Sequence, residues 1–216
     1  MHSRRYCFNL PAGDWDAGER GIASLPDRID EFRRGLMLAI EYATVIGCST
    51  LHVMAGKLAP TGDRERQLAV FTHNLLLASD AVAAKNIELM IEPINRRVDI
   101  PDYLIECSSE DMSVIERVAR PNVRLQYDVY HMQIVEGDLA RTIHRLLPHI
   151  GHIQIADNPG RNEPGTGEIN FDWLLQHIDA MGYRGWIGCE YRPRTRTLDG
   201  LRWASRYLNH ARESRP

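Results

Sequence analysis

The chain has 216 residues, of which 44% are hydrophobic and 25% charged, a composition that suits one globular domain with a sizeable core. Its formal net charge of -3 gives no basic footprint, which argues against nucleic acid and anionic membrane as partners and for a small molecule. No apolar segment follows the basic start MHSRRYCFNLP and no run of 18 apolar residues occurs, so neither export nor membrane spanning is predicted and the expected location is the cytoplasm.

The first predicted strand is YCFNL, residues 6–10. A helix pattern follows over DEFRRGLMLAIEYATVIG, with Phe32, Leu36, Ala39, Ile40 and Ala43 on one face and Gly47 placed to end it. Next come the strand STLHVMA and a longer helix pattern, RERQLAVFTHNLLLASDAVAAKN. The strands IELMIE, VRLQYDV, GHIQIA and GWIGCEY complete the series. Six strands alternating with helices call for a parallel sheet with helices outside it, either an α/β barrel or a doubly wound sheet. Neither linker nor low-complexity tract divides residues 1–216, which are read as a single domain. Cys7, Cys48, Cys107 and Cys189 lack C-x-x-C spacing and are read as buried free thiols.

Polar residues decide between the two architectures. Alternation sets Glu92 opposite Ile91 and Leu89, Asp128 opposite Leu125 and Tyr127, Gln154 opposite Ile153 and Ile155, and Glu190 opposite Ile187 and Cys189. Four successive strands therefore each carry one oxygen donor near the C-terminal end, on the face away from the helices. A doubly wound sheet buries both faces and leaves no room for them. A TIM barrel has them line its catalytic mouth. Three carboxylates and an amide at one mouth repel one another unless a cation sits among them, and an all-oxygen set favours Mg²⁺ or Mn²⁺.

The segments FNLPAGDW, GERGIASLP, LHVMAGK, IEPINRRVDIPDY, LQYDVYHMQI, HIQIADNPGRNEPGTGEI and IGCEYRP closely resemble the hydroxypyruvate isomerase family of the xylose-isomerase-like TIM-barrel superfamily. The resemblance runs from about Phe8 to Pro193. It implies one divalent metal held by Glu92, Asp128, Gln154 and Glu190, with Glu92 and Glu190 as the catalytic pair. It also implies conversion of hydroxypyruvate to tartronate semialdehyde through an enediolate. Relatives that isomerise 2-oxo-tetronates share the pattern. A ketose 3-epimerase on the same barrel is a second reading, and a catalytically silent barrel acting as a scaffold a third. No G-x-G-x-x-G or G-K-[ST] loop is present for an organic cofactor.

Among further candidates for substrate binding, His131 follows Asp128 by three positions and His52 is spaced to point into the barrel. Arg161 and Glu163 lie in the turn-rich loop GRNEPGTGE after the Gln154 strand, where a guanidinium could clamp a substrate carboxylate. Six strands fall two short of a closed barrel. By the resemblance, YCFNL matches the family's third strand, so the first two strand-helix units have no counterpart here. The expected consequence is an unpaired edge at residues 6–10 and another at 187–191, with two accounts: a shortened reading frame of a longer gene, or a homo-oligomer that covers the gap.

Overall fold

The computed structural model describes residues 7–60, 62–205 and 207. Six strands appear in sequence order: β1 (Phe8–Asn9), β2 (Thr50–His52), β3 (Glu88–Ile91), β4 (Val123–Asp128), β5 (Ile150–Ile155) and β6 (Ile187–Cys189). Each pairs in parallel with its successor, so the sheet order is β1-β2-β3-β4-β5-β6. A singly wound parallel order of this kind belongs to a barrel, since a doubly wound sheet reverses direction partway. Among the described residues β1 and β6 are not joined to each other, and the sheet is open. Tyr6, the first residue of the predicted strand, lies outside the described residues.

Between the strands run α1 (Ile29–Ile46), α2 (Arg64–Ala83), α3 (Ser108–Val118), α4 (Val129–Val135), α5 (Leu139–Leu146) and α6 (Phe171–Ala180). Helix α1 buries Phe32, Leu36, Ala39, Ile40 and Ala43 and ends at Gly47 with φ 67°, whose N–H returns to the Ala43 carbonyl. Glycine is suited to that left-handed backbone, which costs any residue with a Cβ. Helix α2 starts at Asp63, whose carboxylate accepts from the N–H groups of Glu65 and Arg66. None of the helices in the described residues is long and apolar enough to cross a membrane.

The outward strand residues Leu51, Leu89, Leu125 and Ile153 are fully buried against Phe71, Leu75 and Ile143 of the helices. Removing that surface from water at roughly 25 cal/mol per Å² is the main force holding the layers together. The opposite strand residues point into the concave interior, where polar side chains collect. One expectation about the core is corrected. The four cysteines form no disulfide, but only Cys48 is buried, Cys7 and Cys107 are half-buried and Cys189 is exposed on an edge strand.

Candidate active site

The interior face of β3, β4, β5 and β6 ends in the residues singled out from sequence. Glu92 follows β3 directly and is 5% exposed, while Asp128 closes β4 and is fully buried. Asp128 also starts α4, its Oδ1 accepting from the Tyr130 N–H at 2.7 Å. The strand thus passes into a helix without a loop, and Val129, assigned to the strand by its sequence pattern, opens the helix instead. One turn further, α4 brings His131 back beside Asp128. Ligand atoms of Glu92, Asp128 and His131 all lie within 4.8 Å of one another.

Hydrogen bonding distinguishes the two interior histidines. The Asn95 amide donates to Asp99 Oδ2 at 2.7 Å and faces His131 Nδ1 at 2.7 Å, while its oxygen accepts from the Val98 N–H. That pattern assigns the His131 proton to Nε2, the nitrogen 3.8 Å from Asp128 Oδ2. His131 is therefore a donor into the site. His52 has the reverse tautomer: Nδ1 donates to Asn9 Oδ1 at 2.9 Å, leaving Nε2 bare 3.5 Å from Glu92 Oε2. Burial, reinforced by His152 and His131, pushes the His52 pKa down to about 3, so the ring is neutral.

Three buried acceptors in this region, Glu92 Oε1, Asp128 Oδ2 and His52 Nε2, have no hydrogen-bond partner. Bare buried acceptors are costly, and a cation among them removes that cost. The residues present therefore fit a divalent metal. Burial first, then Asp128 and Glu190, hold the Glu92 carboxyl well above the usual carboxylate range, as expected of carboxylates gathered without a countercharge.

The other expected ligands are placed differently. Gln154 Oε1 accepts from Gln126 Nε2 at 2.8 Å, and the same amide donates to Glu92 Oε2 at 2.8 Å. Gln126 thus ties two strands' site residues together, a role the sequence reading did not assign. Glu190 stands at the mouth with a half-exposed side chain, held by Arg161 Nη2 at 2.7 Å. Desolvation and Asp128 raise its pKa, opposed by Arg161. The other end of the Arg161 guanidinium meets Asp99 Oδ1 at 2.6 Å. Glu163 is not brought to the site: its Oε2 accepts from the Arg194 N–H and its carbonyl from Thr166.

Glu92, Glu190, His52, His131 and Arg161 line a cavity of about 420 Å³, to which Asn9, Trp15, Arg20 and Asp99 also contribute. Parallel strands with acid residues at their C-terminal ends around one such cavity define a barrel enzyme site. The chain belongs to the xylose isomerase-like TIM barrel family, whose pattern matches residues 2–207. It is 47% identical to the 2-oxo-tetronate isomerase of Cupriavidus necator, over 93% of this chain and 77% of that protein. It is also 47% identical to the hydroxypyruvate isomerase of Escherichia coli, over 92% of this chain and 77% of that one. The solved structure of an AP endonuclease, family 2, from Brucella melitensis superposes with a TM-score of 0.91 at 42% identity, covering 94% of this chain and 78% of its own.

Proposed function

We propose that the chain is an isomerase that moves a carbonyl between neighbouring carbons of a small hydroxy-oxo acid, with hydroxypyruvate or a 2-oxo-tetronate as substrate. The observation that carries this reading is the pair Glu92 and Glu190, which follow strands three apart and line one cavity. On hydroxypyruvate, one carboxylate takes a proton from C3, the C–H electrons form the C2–C3 double bond and the C2 carbonyl pair moves onto its oxygen. A proton is then returned to C2 while the C3 hydroxyl proton passes to the C2 oxygen, so that C3 becomes the aldehyde of tartronate semialdehyde. Two carboxyl groups in one cavity can divide removal and return.

Charge on the enediolate oxygens meets a donor this chain supplies, the Nε2–H of His131. Glu92 and Asp128, with Gln154 and Glu190 at neighbouring strand ends, would hold one Mg²⁺ or Mn²⁺. Such an ion acts as a Lewis acid toward oxygens of the substrate. Gln126 fixes the Glu92 carboxylate by donating to Oε2. Four cysteines outside any disulfide suit the reducing cytoplasm as the place of action.

Glu92→Gln and Glu190→Gln should each lower turnover by roughly 10²-fold or more, because an amide cannot take the proton. In deuterated water the product should carry deuterium at the carbon that gains hydrogen. Near-wild-type turnover in either variant would remove the two-carboxyl mechanism, and retention of hydrogen at every turnover would point to hydride transfer. Product analysis across hydroxypyruvate, 2-oxo-tetronates and free ketoses identifies the substrate.

A further inference from the structure

Arg161, the guanidinium nearest the acids, is committed at both ends to Asp99 and Glu190. A substrate carboxylate entering the cavity needs a different partner. The rim supplies one in Arg20, a half-buried cavity residue with no carboxylate within ion-pair distance among the described residues. Its guanidinium lies 3.8 Å above the Trp15 ring. Nη1 donates to the carbonyls of Trp15 and Glu19 at 2.9 and 2.6 Å. Its other N–H groups have no acceptor among the described residues.

The loop that carries Arg20 is built to hold it still. Glu19, its chain neighbour, turns its carboxylate away to Arg28 at 2.6 Å and to the Asp14 N–H. Asp14 Oδ1 accepts from the N–H groups of Asp16 and Ala17 at 3.1 and 3.0 Å. Gly21, at φ +112°, lies so close to β2 that a Cβ would stand 2.5 Å from the Met54 carbonyl oxygen. That approach fixes the loop against the end of the strand beside the cavity. Trp15, 52% exposed, is an expensive residue to leave in water, and bracing a guanidinium gives it a task.

We propose that Arg20, stacked on Trp15, receives the carboxylate of the substrate and makes this cavity select hydroxy-oxo acids over neutral sugars of the same length. The inference rests on the isomerase reading for the identity of the acid. A rigid guanidinium with unused N–H donors is the best match in the side-chain repertoire to a carboxylate. It lines the same cavity as the two glutamates, so it can hold the carboxylate while they work on the neighbouring carbons.

The test compares hydroxypyruvate with dihydroxyacetone, in which a neutral CH₂OH replaces the carboxylate, by calorimetric binding to the manganese-supplied chain and by assay. The wild-type chain should bind the acid at least tenfold more tightly. Arg20→Met should weaken the acid by roughly 10- to 100-fold, raising KM more than it lowers kcat, and leave dihydroxyacetone within about twofold. Arg20→Lys, which keeps the charge but not the fork, should lose roughly 3- to 10-fold on the acid alone; it carries the test if the Met variant melts below wild type. Equal affinity for the two ligands, an unchanged acid affinity in Arg20→Lys, or parallel losses on both ligands would overturn the proposal. Acid-selective binding that depends on Arg20 without any turnover would uphold it and overturn the isomerase reading instead.

Discussion

At the residue scale the site is organised by an amide that looks ordinary in the sequence. Gln126 sits two positions before Asp128 in RLQYDVY, and the alternation that turns Asp128 inward turns Gln126 inward as well. Its partners could not be read from that alternation, because Glu92 and Gln154 lie 34 and 28 positions away. Glu92, Asp128, Gln154 and Glu190 were legible because a charged or amide group at the end of a buried strand conflicts with burial. Gln126, 2% exposed, poses the same conflict, but it stands two residues before the strand end, where the barrel-mouth pattern does not seek ligands. Gln126→Leu should weaken Mn²⁺ binding by roughly 10- to 100-fold, the usual effect of removing a residue that orients a ligand. Calorimetric titration of the variant reads this directly, and an affinity equal to wild type would show that Glu92 needs no such support.

At the scale of elements, α1 and the strand alternation followed from periodicity alone, since burial on one face needs no knowledge of distant neighbours. The loop between β5 and α6 did not. Its Gly165 and Gly167 read as simple turn residues, yet the loop is organised by Asp157, which is 1% exposed. Asp157 Oδ2 accepts from the N–H groups of Gly165, Thr166 and Gly167 at 2.8, 3.0 and 2.9 Å. Oδ1 accepts from Asn158 and Ile169 at 3.0 and 3.1 Å. A Cβ on Gly167 would fall 2.0 Å from the Asn158 carbonyl oxygen, so that glycine is a matter of space and not of a special turn angle. Because this loop carries Arg161, its rigidity sets the position of the guanidinium that holds Glu190. Asp157→Ala strands several N–H groups and should cost about 3 kcal/mol, a drop in melting temperature of roughly 6–12 °C for a chain of this size. A drop under about 1 °C would mean the loop is held by something other than this carboxylate.

At the scale of the whole molecule, six strands were countable in the sequence because helix patterns separate them, and their order followed from the inward oxygen donors, which suit a barrel and not a doubly wound sheet. What periodicity does not describe is the boundary of the sheet. Among the described residues β1 pairs only with β2, and β6 only with β5, so each presents one row of backbone groups without a strand partner. Next to β6, Trp186 is 56% exposed, and on the outer face of α1 Leu38, Tyr42 and Val45 are 49%, 61% and 85% exposed. The spacing i, i+4, i+7 makes those three a single stripe along the helix. Open strand edges and a continuous apolar stripe both favour pairing with another chain, and a second copy offers the same two edges in return. The 216-residue chain should therefore self-associate at tens of micromolar, with a scattering mass at or above twice 24.7 kDa. Replacing Leu38 and Val45 together by Glu should shift that mass toward the single chain if the helix stripe takes part, and leave it if only the strand edges do. A wild-type chain that scatters as a monomer and unfolds in one cooperative step would show that the edges are satisfied within one molecule, and the argument from exposed edges would fall.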